Sequence, residues 1–305
     1  MFVLNNTTRR TAPPGRLGVI IFYLLLLVGI SGFLNAAAAA QDSSGSPAAF
    51  EDPALQLLGR PLSRGQAELT ADRGALLLEQ ARQAYSQRDQ REKIRECVDL
   101  VKEALALEPD NLERHLQFAA ACAWFQGYHS RGSYDQQLLL EALASAAKVL
   151  ENEPDNPMAH YLNGMLHAFM GRALSSLQSF SHFGFMEQDL QWVMERRPEL
   201  DYAGAYRAMG RYRAQMPRLL GGNREEALRH YMEAQRLAPM YLLNQILLAE
   251  LYIKMEEYDK AGPLLRQALD SSPPPNLEPE WRMWRERAGR VWERLQRSQT
   301  GEEEY

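Results

Sequence analysis

Residues 217–239 read PRLLGGNREEALRHYMEAQRLAP: a proline, a glycine pair, and a helix-like run that stops at a second proline. Asn223 is a strong N-cap residue, and Glu226, three positions on, is placed to reach back to the Asn223 backbone N–H as in a capping box. From there Leu228, Tyr231, Ala234, Gln235 and Leu237 keep mostly apolar or small residues on one stripe, while Arg224, Glu225, Arg229, Glu233 and Arg236 lie around the opposite side. Pro239 ends the run, because it lacks the N–H and disfavours helical geometry in the residue before it. One amphipathic helix, with a buried face and a wet face, is the expectation.

The same ending recurs along the chain. Helical runs close at Pro109, Pro154, Pro198, Pro239 and Pro273, at intervals of 45, 44, 41 and 34 residues. A drifting period of that size fits paired helices with variable insertions. In residues 242–273, LLNQILLAELYIKMEEYDKAGPLLRQALDSSP, one helix carries Leu248, Ala249 and Tyr252 and the next carries Ala261, Leu265 and Ala268 before the closing proline. This pattern resembles the tetratricopeptide repeat, in which small residues at set points let two antiparallel helices approach closely. Ala227, Tyr231, Ala234 and Pro239 repeat its second half. The segment AYRAMGRYRAQMPRLLGGNREEALRHYMEAQRLAP, within the stretch Tyr202 to Pro273, is also similar to exported repeat proteins of the kind that includes the T component of tripartite ATP-independent periplasmic transporters.

The glycine pair reads as a lengthened turn between the two helices, not as a phosphate cradle: there is no G-x-G-x-x-G and no preceding strand. Outward from this stretch the spacing predicts helix pairs at about 73–88 with 91–107, 112–127 with 134–152, 157–171 with 174–196, 202–216 with 223–238, and 241–256 with 258–271. Trp281, Trp284, Ala288, Val291, Trp292 and Leu295 then mark a final helix that covers the open end of a stack. The expected fold is an all-α helical-repeat superhelix of about five pairs plus a C-terminal capping helix, spanning 72–298, with a disordered tail at 299–305.

The N-terminus is different in kind. Arg9, Arg10 and Arg16 precede the apolar run 17–34, followed by small residues with no acid before Asp42. That is the layout of a secretory signal over residues 1–40, with a retained membrane anchor through 17–34 as the alternative. Residues 41–71, rich in Ser, Gly and Pro at first, read as a flexible linker. The whole chain counts 34 basic and 39 acidic residues, and without residues 1–40 the balance becomes −8. An acidic exported domain is a poor match for nucleic acid. The expected location is periplasmic, or anchored in the inner membrane facing the periplasm, in a bacterium.

No motif in the sequence carries chemistry. His160 and His167 are seven residues apart, about 10 Å by helical rise, too far to share a zinc ion. His182 sits in an aromatic insertion where packing is its expected use. Cys97 and Cys122 are the only cysteines. They fall where such repeats prefer small buried residues, and in an oxidising compartment they have the option of a disulfide. No nucleophile elbow, metal spacing or cofactor fingerprint is present, so no enzyme activity, metal or cofactor is expected. What remains is the concave wall. With Gly164, Gly210 and Ala249 as small packing residues, Tyr161, Met165, Arg207, Arg211 and Glu250 should face the groove, and the two arginines, one turn apart, suit a carboxylate. Trp124, Phe125 and Tyr128 are further candidates for the same wall, with core packing the expected use of at least two of them. The resulting expectation is a scaffold or adaptor that grips a partner polypeptide in its groove; the alternative is an accessory subunit of a periplasmic transporter of organic acids.

Overall fold

The computed structural model describes residues 69–174 and 177–300, all within one compact unit, Ala49–Tyr305. The signal or anchor at 1–40, most of the linker and residues 301–305 lie outside the described residues. Eleven α-helices and no strand occur among the described residues: α1 Leu69–Tyr85, α2 Arg91–Leu107, α3 Leu112–His129, α4 Gln136–Asn152, α5 Pro157–Ala173, α6 Leu177–Arg196, α7 Leu200–Gln215, α8 Arg224–Leu237, α9 Leu242–Lys254, α10 Tyr258–Asp270 and α11 Glu278–Thr300. None is long and apolar enough to cross a membrane.

Each helix packs on the next, and the odd-numbered helices from α3 to α11 also pack on one another in succession. This is the arrangement of stacked antiparallel pairs. Two ends run past the expected boundaries: α1 begins at Leu69, inside the expected linker, and α11 continues to Thr300, inside the expected tail. No proline or glycine interrupts either stretch, so the helical hydrogen bonding has no reason to stop there.

The recurring prolines end helices as the spacing predicts, and at three of the five a repeated bond fastens the end to the next helix. The side chain six residues after the proline donates to the proline carbonyl: His115 Nε2 to Pro109 at 2.9 Å, His160 Nε2 to Pro154 at 2.8 Å, and Gln245 Nε2 to Pro239 at 2.8 Å. Two histidines are thereby taken up in the architecture. Asn111, Asn156 and Asn223 cap α3, α5 and α8 through their side-chain oxygens. The capping box expected at Asn223 is only half made. Asn223 Oδ1 accepts from the Glu225 and Glu226 N–H groups at 3.0 and 3.1 Å, but the Glu226 carboxylate pairs with Arg213 Nε at 3.1 Å. A guanidinium is a stronger attraction than the Asn223 N–H, which donates instead to the Arg213 carbonyl at 2.9 Å.

Small residues set the closeness of the pairs. A Cβ on Gly210 of α7 would lie 2.6 Å from the ring of the buried Tyr231 of α8, and one on Gly164 of α5 would lie 3.0 Å from Leu190 of α6. Ala249, the third small position, is fully buried. By contrast, nothing lies within 4 Å of the corresponding point at Gly289 in α11. Gly289→Ala is therefore expected to stabilise the protein by up to about 1 kcal/mol, the helix-propensity difference. Gly210→Ala gains the same propensity but must displace a fixed ring, and overpacking of about 1–3 kcal/mol leaves it net destabilising. Urea midpoints of the two variants should move in opposite directions; movement in the same direction would contradict the packing.

The stack does not remain an open arc. Arg88, in the turn between α1 and α2, is buried against Glu280 of α11, with Nε–Oε1 and Nη2–Oε2 both 2.7 Å, and its Nη2 donates to the Asn276 carbonyl at 2.6 Å. Asp89 pairs with Arg282 at 2.8 Å, and Tyr128 of α3 lies 6.4 Å from Trp284 of α11 between ring centres. The helix expected only to cap the last pair also meets the first. Trp281, Trp284, Ala288, Val291 and Leu295 supply its buried face.

Candidate binding site

Closure places the inner wall around an interior space where three apolar clusters meet, one built on α1–α5, one on α5–α7 and one on α8–α11. Two adjoining cavities, of about 130 and 270 Å³, occupy the seam. The smaller is lined by Trp124 and Tyr128 of α3, Tyr161 and Met165 of α5, Asp201, Arg207 and Arg211 of α7, and Tyr241 and Leu247 of α9. The first helix of each pair supplies the wall, as the repeat geometry requires. Phe125 points instead into the core. The larger cavity lies between α5, α6 and α7, and Met165, Phe169, Ala208 and Arg211 line both.

The five residues expected in the groove divide into two groups. Arg207 is buried and committed: its Nη1 donates to the Tyr202 carbonyl and Asn244 Oδ1 at 3.0 and 3.1 Å, and its Nη2 donates to the Asp201 carbonyl and Oδ2 at 3.1 and 2.7 Å. Burial opposes its charge, but Tyr241, Asp201 and the other tyrosines around it override that cost and hold the guanidinium above its ordinary range. Tyr161 donates to Asp201 Oδ2 at 2.5 Å, and burial pushes its phenol well up. Glu250 accepts both prongs of Arg287 at 2.9 and 2.7 Å. Met165 and Arg211 face the cavities.

Arg207 is held this way because α7 starts badly. Asp201, Tyr202 and Ala203 are all left-handed, with φ of 49°, 54° and 63°. For non-glycine residues that costs roughly 1–2 kcal/mol each, and it survives only where neighbours impose it. Arg207, with Asn244 Nδ2 donating to the Tyr202 carbonyl at 3.1 Å, imposes it here. The turn delivers the Asp201 carboxylate to Arg207 and brings Gly204 against the Tyr161 hydroxyl, too close for a Cβ. Sequence reasoning missed Asp201 and Asn244. The only local hint is an aspartate, tolerant of left-handed geometry, just after Pro198.

Arg211 is the exception among these cations. Its Nε is buried without a hydrogen-bond partner, and no carboxylate pairs with it among the described residues. Burial lowers its pKa, and the neighbouring Arg172 and Arg287 lower it further; a guanidinium nevertheless stays charged.

Elsewhere the titratable groups have structural uses. No three His, Cys, Asp or Glu are placed to share a metal among the described residues. Cys97 and Cys122 are both buried, each as a free thiol. Burial pushes the Cys97 thiol up to about 12 and raises Cys122 as well, which suppresses the thiolate needed for exchange. His182 stands with its Nδ1 2.8 Å from that of His167, so one of the pair must donate and the other accept. Burial, with His182 beside it, pushes His167 down to about 4 from its ordinary 6.5, and His182 is lowered too. A lowered folded-state value means the unfolded chain binds more protons in that window, so stability present above pH 6.5 is lost as pH falls toward 4. Urea titrations at pH 7.5 and pH 5 should show the drop, and His167→Asn should flatten it; an equal drop in the variant would contradict the assignment.

Stacked antiparallel helix pairs with a lined interior define a tetratricopeptide-like helical-repeat protein. The fold is similar to that of a thermophilic TPR protein from Thermus thermophilus, at a TM-score of 0.51 and 18% identity over 70% of this chain and 98% of that one. Residues 163–300 match the family model described as the TRAP transporter T-component, a segment from within α5 to the end of α11 that includes Arg211. No curated protein matches the chain in sequence.

Proposed function

We propose that the protein is a non-enzymatic accessory component of a solute transporter, working outside the cytoplasm by binding. The observation that carries this reading is the T-component match over the stretch that builds most of the interior wall. The groove grip expected from the sequence is narrowed by the geometry. Cavities of about 130 and 270 Å³ favour a small ligand or a chain end over a length of polypeptide. Protein partners then meet the outer rim. The loop before α8 displays Leu219 with 98% of its surface exposed, while Arg213 braces that loop through Gly221 O at 3.0 Å and through Glu187 at 2.8 Å. A rigid loop offering a bare leucine suits contact with another protein.

Affinity capture of the full chain from its native cell envelope tests this. The expected result is recovery of identified transporter subunits, a substrate-binding protein and a membrane permease, with recovery reduced by Leu219→Glu. Capture that yields neither subunit would overturn the transporter role.

A further inference from the structure

The larger cavity holds two guanidinium groups and no carboxylate. Arg172 of α5 and Arg211 of α7 both line it, and none of its other lining residues is acidic. Arg172 is bonded through Nη2 to the neutral Gln215 side chain, and Arg211 has no such partner. Arg287, the third cation near Arg211, is already neutralised by Glu250. The buried arginine side chains of the described residues each have an acid beside them: Arg88 has Glu280, Arg114 has Glu108 and Arg207 has Asp201, whereas the half-buried Arg211 has none. Arg172 reaches the space from the exposed side, whereas the Arg211 Nε is buried without a partner, and an incoming anion offsets the cost of that unpaired charge.

The rest of the chamber states what the anion carries. Away from the arginines its wall is mainly apolar, Met165, Phe169, Phe183, Met186 and Met216 with Ala168 leaving room between them, and Tyr212 and Gln215 are its polar members. With both arginines on one carboxylate, this surface has no further cation for a second acid group and only Tyr212 and Gln215 for hydroxyls, and its methionines adapt to a flexible apolar chain. A guanidinium fork matches a carboxylate in two parallel hydrogen bonds. We propose that this chamber binds a small monocarboxylate with an apolar tail, its carboxylate between Arg211 and Arg172 and its tail along the methionine-lined wall. The proposal rests on the reading of the interior as the binding site and names its ligand class.

Calorimetric titration of the purified full chain with sodium octanoate tests it, with acetate, succinate and 1-octanol as comparators. Octanoate should bind more tightly than acetate and succinate, and 1-octanol should not replace it. Arg211→Gln should weaken octanoate by roughly tenfold to a hundredfold, the range for a hydrogen bond to a charged group. The same substitution should leave the ligand-free protein as stable as before or more so, since it removes an unpaired buried charge. Ala168→Phe, which fills the tail space and keeps both arginines, should abolish octanoate binding; it also serves as the deciding variant if Arg211→Gln fails to fold. Absence of octanoate binding, binding indifferent to both substitutions, or equal binding of 1-octanol would overturn the proposal. Succinate bound in preference to octanoate, and lost in Arg211→Gln, would overturn the ligand class while leaving the interior site intact. Capture of transporter subunits is a separate readout, so failure here and failure of the transporter role are distinguishable.

Discussion

Arg88→Met is expected to lower the unfolding free energy by about 3–5 kcal/mol, the usual consequence of leaving one member of a buried ion pair alone. The Arg88 and Glu280 side chains are 1% and 2% exposed, so the stranded Glu280 carboxylate has almost no access to water. Arg88 also donates to the Tyr85 and Asn276 carbonyls, and its guanidinium lies 4.4 Å from the centre of the Tyr85 ring, so the turn between α1 and α2 loses its anchor as well. The double variant Arg88→Met with Glu280→Leu removes both charges and should regain most of the loss. Chemical denaturation of the two single variants and the double variant forms a cycle; a single variant within about 1 kcal/mol of the native protein would show that the pair is exposed in solution and the ends are not joined.

Arg207→Met should be comparably destabilising, by about 3–5 kcal/mol, for a different combination of reasons. It strands Asp201 with only the Tyr161 hydroxyl as partner, and it withdraws the donors that hold the Asp201 and Tyr202 carbonyls in place. Three left-handed residues then have little to oppose their return to ordinary geometry. Urea denaturation would give the size of the loss. Hydrogen exchange would locate it, with faster exchange expected at the start of α7 and in the Asn244 region of α9. The contrast with Arg211→Gln is the sharper check. Two arginines one turn apart on the same helix should behave oppositely in the ligand-free protein, one essential to the fold and the other dispensable. Equal effects on stability would remove the distinction between them.

Much of the architecture was legible because the repeat announces itself locally. The prolines at 109, 154, 198 and 239, the N-cap Asn223, and the small residues Gly164, Gly210 and Ala249 act within one helix pair, and short-range pattern suffices to find them. The closure was not legible, because Arg88 and Glu280 lie 192 residues apart and each reads alone as an ordinary charge on a wet face. The wall was legible in part. Periodicity put Arg207 and Arg211 on one face, but which of them would be spent on the fold depended on Asp201 and Asn244, the first in a left-handed turn that no glycine signals. Glu250 faced inward for the same periodic reason, and its partner Arg287 comes from the last helix, where sequence reasoning saw only a charged outer face.

The meeting of the first turn with the last helix closes what would otherwise be an open stack, and a distance measurement tests it most directly. Spin labels on cysteines introduced at Gln90 and Arg282, both exposed and flanking the Arg88–Glu280 contact, can be placed without interference from Cys97 and Cys122, which are buried. Pulsed electron spin resonance should give one short, narrow distance distribution that broadens and lengthens in Arg88→Met. A long, broad distribution already present in the otherwise native protein would mean that the stack is an open arc.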